Sequence, residues 1–196
     1  MLVEHRGARP VVDPSAYVAP TAVLCGDVHV GADARVLFGA VVTAEDGRVE
    51  VGARCVIMEN ALVRGRAAHP VRLGDDVLVG PHAHVNGADV ADGCFLATGC
   101  SLFPGARLGR EVEVRVNGVV QVNTVLDDGA LVPIGWVAVG DPARVLAPSE
   151  HDEIWKIQEG LGFPETVYGV PRGTPPRELM QRQADWFAAH RDDRVI

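Results

Sequence analysis

Aliphatic residues recur at every sixth position along most of this chain. The period survives a three-residue and a four-residue interruption, and one residue is skipped before its longest run. Neither an α-helix nor a lone amphipathic strand has this period, whereas a three-sided coil with one short strand and one turn per side does. The periodic positions are Val12, Val18, Leu24, Val30, Val36, Val42, Val51, Ile57, Val63, Leu73, Val79, Val85, Val90, Leu96, Leu102, Leu108, Val114, Val120, Leu126 and Val132.

The residue two positions before each aliphatic is usually small, as at Ala40, Cys55 and Ala83. Side chains alternate across a strand, so the small residue and the aliphatic both point inward. The pattern therefore predicts an all-β solenoid, a parallel β-helix of stacked coils, over residues 1–147. Residues 148–196 are predicted to form a helical tail that packs on the coil or on a neighbouring subunit.

Two helices are predicted in the tail. Ser149 is a candidate N-cap before an acidic first turn, and Ile154, Ile157 and Leu161 follow at helical spacing. A connector rich in Pro and Gly then runs from 162 to 176. It leads to a second helix, with Thr174 as the cap and Pro175 at the first position.

Composition narrows the class of partner. The chain has 26 acidic against 18 basic residues and a net charge of -8, which disfavours nucleic acid. No apolar run is long enough to span a membrane, and the first residues do not resemble a signal peptide, so we expect a cytoplasmic protein. The four cysteines form no CxxC pair and are predicted to be buried thiols.

The repeat [Val/Leu/Ile]-Gly-x4 resembles that of the hexapeptide-repeat proteins, and the resemblance implies a left-handed β-helix. Residues 13–28, beginning DPSAYVAPTAVL, are similar to the γ-class carbonic anhydrase family. That resemblance extends over residues 10–147. It implies a homotrimer with a zinc ion or related metal held by three histidines between subunits, where metal-bound hydroxide attacks carbon dioxide.

The chain departs from this family at the positions that carry the chemistry. Arg64, Pro81 and Asn86 stand where the resemblance implies the three histidine ligands. A family Arg-Gly-Asp segment is replaced by residues 43–45, Thr-Ala-Glu, and a Gln-Asp pair by residues 58–59, Met-Glu. The usual anhydrase site is therefore predicted to be absent, and carbon dioxide hydration is expected to fail.

Three histidines lie near the replaced positions. Alternation along the predicted strand places His82, His84 and Asn86 outward on one face, with His69 on the adjoining loop. His69, His82 and His84 are candidate ligands for zinc or iron in a shifted site at the subunit interface. The alternative is that no metal binds and these imidazoles make polar contacts between subunits.

A second candidate group precedes them in the chain. Glu59 and Asn60 come directly before the face that carries Arg64, and with Asn86 they complete the candidate catalytic set. Arginine offers fixed paired donors, so the group is suited to an anion or a carboxylate. Ion pairs between stacked coils are the structural alternative.

Three functions remain open from the sequence. The first is a trimeric enzyme that hydrates, hydrolyses or isomerises a small molecule, with Glu59 as proton acceptor and Arg64 as anion holder. The second is acyl transfer from an acyl-CoA, as in many hexapeptide-repeat proteins, with a histidine as base. The third is a non-catalytic trimeric scaffold.

Overall fold

The computed structural model describes residues 1–196 and confirms a left-handed parallel β-helix followed by C-terminal helices. The strands lie on three faces and stack in parallel along each face, except that the last strand of the first face runs antiparallel to its neighbour. The first face contains β1 (Leu2–Glu4), the start of β4 (Val23–Val30), the start of β6 (Val41–Val51), β8 (Leu62–Gly65), β11 (His84–Asn86), β14 (Ser101–Leu102), β17 (Val119–Val120), β20 (Val137–Val139) and β21 (Arg144–Leu146).

The other two faces consist mostly of two-residue strands. The second face contains β2 (Val11–Val12), the ends of β4 and β6, β9 (Val71–Leu73), β12 (Asp89–Val90), β15 (Arg107–Leu108) and β18 (Val125–Leu126). The third face is a seven-stranded sheet of β3 (Tyr17–Val18), β5 (Arg35–Val36), β7 (Val56–Ile57), β10 (Leu78–Val79), β13 (Phe95–Leu96), β16 (Glu113–Val114) and β19 (Leu131–Val132).

The periodic aliphatics form the core, as predicted. All of them are buried except Val12 and Val18, which are half-buried at the first coil and pack against the same cluster. The four cysteines are buried and free, which confirms their predicted state. This stacked interior removes apolar side chains from water in every coil and stabilises the fold along its length.

The two interruptions of the six-residue period lie where β6 and β8 leave the first face. The three-residue insertion lets β6 continue round the corner from the first face to the second. The four-residue insertion forms a tight turn in which Arg66 and His69 exchange two backbone hydrogen bonds of 2.9 Å. A Cβ at Gly47 would lie 2.0 Å from the Arg66 carbonyl oxygen, so the two insertions pack together only with glycine there.

The tail differs in detail from its prediction. It contains a 3-10 turn (Pro148–Glu150), α1 (His151–Gly160), α2 (Phe163–Tyr168), α3 (Pro176–Phe187), a second 3-10 helix (Ala188–Asp192) and β22 (Arg194–Val195). Ser149 lies inside the first turn and Glu150 takes the N-cap position, while Pro175 rather than Thr174 precedes α3. The Thr174 hydroxyl instead donates to the carbonyl of Pro171 at 2.8 Å.

Helix α2 lies in the segment predicted to be a connector. Gly162 and Gly169 adopt left-handed backbone angles at its two ends, so the glycines that suggested a loop in fact bound a short helix. Strand β22 was also not predicted. It pairs antiparallel with β1 and brings the two chain termini together.

The tail packs on the coil of its own chain. Ile154 of α1 joins a small cluster with Val139 and Leu146, and the Asn123 side-chain amide donates to the Leu161 carbonyl and the Thr166 hydroxyl, each at 3.1 Å. None of the helices is long and apolar enough to cross a membrane.

Candidate functional site

A row of polar residues crosses the first face beside the tail. Cys25, Thr43, Arg64 and Asn86 are in register on β4, β6, β8 and β11. Each directly follows one of the periodic aliphatics, so alternation turns all four side chains away from the core. Strands in register are about 4.8 Å apart, and this spacing brings successive members of the row within reach of one ligand.

Two members of this row have polar atoms without partners. The Arg64 Nε and the Asn86 Oδ1 are buried, and neither makes a hydrogen bond. Arg64 approaches Glu45, with 3.7 Å between Nε and Oε1, and its guanidinium lies 5.8 Å from the centre of the Phe187 ring. A buried donor and a buried acceptor on neighbouring strands therefore have hydrogen-bonding capacity that the chain itself does not use.

Glu45 connects the row to the C-terminal segment. Its side chain is buried and accepts a hydrogen bond from the Thr43 hydroxyl at 3.1 Å. Its other carboxylate oxygen lies 2.8 Å from the His190 Nε2. Burial alone lowers the pKa of His190, but its hydrogen bonds with Asp193 and Glu45 outweigh this, and the pKa lies above its ordinary value.

Asp193 joins three further groups at the same end of the coil. Its carboxylate oxygens lie 2.6 Å from the His5 Nδ1 and 2.8 Å from the His190 Nδ1. The thiol of Cys25 donates to Asp193 over 3.8 Å. Burial, and then the charge of Asp193, raises the pKa of the Cys25 thiol to about 11.

The turn residues predicted for the site lie at one corner of the coil. Asn60 and His82 are exposed, and both have left-handed backbone angles. The half-buried Glu59 accepts a hydrogen bond at its carbonyl from the His82 amide, at 3.0 Å. The acidic partner of Arg64 is Glu45; the Glu59 carboxylate forms no ion pair with it.

The alternation predicted for residues 82 to 86 is present on β11, where His84 and Asn86 flank the buried Val85, and His82 is exposed but is not on the strand. His82 lies in the turn before β11, because the left-handed corner ends before the strand begins at His84. Burial, and then the charge of Arg64, lowers the pKa of His84. The His84 ring lies edge-on to Phe103, with 6.2 Å between ring centres.

His69 lies on the insertion turn between two clefts. One cleft of 480 Å³ is lined by this turn and by α2 and α3, and the other, of 440 Å³, extends toward Asn123. Burial, and then Arg66, lowers the pKa of His69. Within one chain, His69, His82 and His84 do not form a group of metal donors.

The metal implied by the γ-class resemblance does not fit this chain at the positions concerned. Arg64 carries a permanent positive charge, Pro81 has no side-chain donor, and Asn86 offers only an amide. Such a set has none of the imidazole, thiolate or carboxylate ligands that zinc uses. No chemistry of this protein is therefore derived from a metal at those positions.

Sequence reasoning missed four residues that the fold brings together. His5, His190 and Asp193 were not singled out, and Cys25 was interpreted only as a buried thiol. His5 and Asp193 are 188 residues apart, so no motif spacing links them. Pairing of the chain termini alone brings them together.

Comparisons with known proteins agree with this architecture. Gamma carbonic anhydrase 1, mitochondrial, from Arabidopsis thaliana is 33% identical over 156 residues, which cover 76% of this chain and 54% of that protein. Carnitine operon protein CaiE from Escherichia coli strain K12 is 28% identical over 163 residues, covering 76% of this chain and 74% of the relative. The chain thus spans about half the length of the first relative.

A solved Bacillus cereus structure, of a protein assigned as an acetyltransferase, superposes with a TM-score of 0.55 at 18% identity. The superposition covers 94% of this chain and 96% of that one. At this identity the likeness concerns the fold alone. No family model matches the chain.

Proposed function

The chain belongs to the γ-carbonic-anhydrase-like hexapeptide-repeat proteins, and we propose on this premise that it is an enzyme with a repurposed site. Its reaction is the hydration, hydrolysis or isomerisation of a small molecule other than carbon dioxide. One observation carries the proposal: Arg64 Nε and Asn86 Oδ1 lie buried on paired strands, and neither makes a hydrogen bond. Arg64 and Asn86 stand where the resemblance implies histidine ligands, and they offer a guanidinium and an amide instead.

The substrate class follows from those two groups. The guanidinium of Arg64 favours a carboxylate or another anion, and the amide of Asn86 adds hydrogen bonds that orient it. The ring of Phe187 and the buried carboxylate of Glu45 enclose Arg64 on other sides. A small carboxylate-bearing molecule therefore suits this position.

His84 is the general base of the proposed reaction. It is two residues from Asn86 on the same strand, about 6.6 Å along the chain, and faces the same way. Because burial and the charge of Arg64 lower its pKa, the imidazole is neutral near pH 7 and can accept a proton. A substrate held by Arg64 and Asn86 lies within reach of this ring.

The proposed assembly is a homotrimer. Support comes from the third face, whose outward positions include Tyr17, Phe95 and Leu131, each exposed by more than 40%. Exposed apolar side chains on one face favour burial against another copy. In the trimer, we propose that the turn carrying Glu59, Asn60 and His82 completes the site of a neighbouring subunit.

The zinc or iron hypothesis for His69, His82 and His84 requires donors from two subunits. Metal content of the assembled His82→Gln variant, compared with wild type, tests that hypothesis. A cytoplasmic location stays a prediction.

Binding of malonate, a small dicarboxylate, tests the substrate class in the full-length protein by calorimetry. We expect wild type to bind it, Arg64→Met and Asn86→Leu to lose at least tenfold in affinity, and Arg72→Met to bind as wild type. Arg72 is the matched control because it is an exposed arginine on the second face, 3.8 Å from Asp89. Equal binding by all four proteins would overturn the assignment of the site.

Turnover separates the enzyme from the other two functions. Carbon dioxide hydration should be absent, whereas hydrolysis of p-nitrophenyl acetate should be measurable in wild type and reduced at least tenfold in His84→Gln. Acetyl-CoA binding that depends on a histidine, without malonate binding, would instead support acyl transfer. A trimer that binds no probe and whose assembly alone changes in the variants would support a scaffold.

A further inference from the structure

Four metal-binding side chains meet where the C-terminal segment crosses the first coil. They are His5, which follows β1, Cys25 on β4, and His190 and Asp193 near the C-terminus. One donor atom from each lies within 4.8 Å of the others. This cluster adjoins the Arg64 and Asn86 pair through Glu45, but the function proposed above does not use its four side chains.

The donor set is of the kind that zinc prefers. Two imidazoles, one thiol and one carboxylate provide nitrogen, sulfur and oxygen ligands. Ligands placed tetrahedrally about 2.0 to 2.3 Å from zinc are about 3.3 to 3.6 Å from one another. The four groups therefore need only small side-chain movements to enclose an ion.

The position of the cluster is typical of a structural metal rather than a catalytic one. His5 is 2% exposed and Cys25 is 5% exposed, so two donors are closed off from solvent. The rings of His5 and His190 are stacked, with 4.3 Å between their centres. Four protein ligands in a closed pocket leave no open position for a substrate.

A carboxylate outside the cluster orients one of these ligands. His190 Nδ1 faces Asp193, and its other nitrogen, Nε2, lies 2.8 Å from Glu45. Glu45 is held in turn by the Thr43 hydroxyl. A carboxylate on the far nitrogen of a ligating histidine fixes the ring and raises its basicity, and this support is common around protein-bound zinc.

In the metal-free arrangement, protons occupy the contacts that an ion would replace. A proton lies in each of three contacts: one between the Cys25 thiol and Asp193, and one between Asp193 and the Nδ1 atom of each histidine. Binding of Zn²⁺ through the Nδ1 atoms would release the thiol proton and the Nδ1 proton of His190, whose Nε2 faces Glu45, while His5 would carry its proton on Nε2. The thiolate and the carboxylate would then balance the two charges of the ion.

We propose that His5, Cys25, His190 and Asp193 bind one zinc ion that fastens the C-terminal segment to the first coil. The ion would add to the pairing of Val3 with Val195 between β1 and β22. It would also hold Phe187 beside Arg64 and His190 beside Glu45, since Phe187 and His190 belong to the C-terminal segment that the ion fastens.

Metal content and cobalt spectroscopy test this proposal on untagged full-length protein. We expect near one zinc per chain after loading and dialysis. Cobalt should replace it and give a thiolate-to-cobalt charge-transfer band. Cys25→Ala should abolish the band, whereas the control Cys94→Ala, at another buried cysteine, should retain it.

His190→Gln keeps the proposal testable even if Cys25→Ala fails to fold, because His190 lies on the terminal 3-10 helix outside the coil. It should lose the metal, and hydrogen exchange at residues 188–196 should increase severalfold, while the circular dichroism of the coil is unchanged. His151→Gln, at an exposed histidine that begins α1, should keep the full metal content. Failure of wild type to retain zinc, or a cobalt complex without the thiolate band, would overturn the proposal without bearing on the function at Arg64.

Discussion

Replacing Asn86 by leucine should make the protein more stable, although asparagine is buried there. The Asn86 side chain is 5% exposed and its Oδ1 has no hydrogen-bond partner. An unsatisfied buried polar group costs about 1 to 3 kcal/mol. Leucine has nearly the same shape and carries no such penalty, so we expect the free energy of unfolding to rise by about 1 to 3 kcal/mol. The same change should remove malonate binding.

Thr43→Val is the matched control on the same row of the first face. Thr43 is also 5% exposed, but its hydroxyl donates to Glu45 at 3.1 Å. Valine keeps the shape and leaves the carboxylate with one partner fewer, so stability should fall by about 1 to 3 kcal/mol. Two polar-to-apolar replacements at equal burial should therefore change stability in opposite directions.

Urea denaturation followed by circular dichroism measures both changes, at one protein concentration so that assembly contributes equally. The m-value should be the same for all three proteins. Loss of more than about 1 kcal/mol in a folded, correctly assembled Asn86→Leu variant would refute the reasoning. In that case Oδ1 would have a partner in the assembled protein, and Asn86 would belong to a subunit contact rather than a ligand site.

Further outcomes follow from the coil and its insertions. Leu96→Ala should cost about 2 to 5 kcal/mol in urea denaturation because Leu96 is fully buried, while Met180→Ala, at a side chain 57% exposed on α3, should cost far less; equal losses would contradict the assigned core. Burial lowers the pKa of His84, so its contribution to stability is complete above about pH 6.5 and is lost as pH falls toward the folded-state value. Wild type should therefore lose more stability than His84→Gln between pH 7.5 and 5.5, and parallel pH profiles would count against this. Gly47→Ala should lower the melting temperature and expose the adjoining turn to proteolysis, because its Cβ would meet the Arg66 carbonyl oxygen at 2.0 Å; an unchanged melting curve would show that the two turns can separate freely.

The helical tail shows where sequence signals lose precision. The stripe of Ile154, Ile157 and Leu161 correctly predicts α1, because amphipathic spacing reports directly on burial. Helix α2 is too short to show such a stripe. In the sequence, Gly162 and Gly169 suggest a loop, and only their left-handed backbone angles show that they bound a helix. Its docking depends on contacts with the coil, such as that of Asn123, which no local pattern encodes.

Some residues of the candidate site were singled out from the sequence, whereas others are brought there only by the fold. Arg64 and Asn86 were singled out because a motif with known spacing surrounds them, and their register follows from the six-residue period. Glu59 was grouped with Arg64 as its proton acceptor, whereas the acidic side chain beside Arg64 in the fold is Glu45. The insertion lets β6 continue past Thr43 on the first face, and this carries Glu45 to the side of Arg64.

The sequence by itself determined the β-helix, because alternation and a six-residue period leave one way to bury every aliphatic residue of each coil. Together with the family resemblance, it also placed Arg64, Pro81 and Asn86 where that resemblance implies histidine ligands. Only the tertiary structure decided which polar groups lack partners and that His5 and Cys25 meet His190 and Asp193. The physical reason is distance along the chain: the coil is built from neighbours in sequence, whereas the cluster forms only when the C-terminal strand returns to pair with the first.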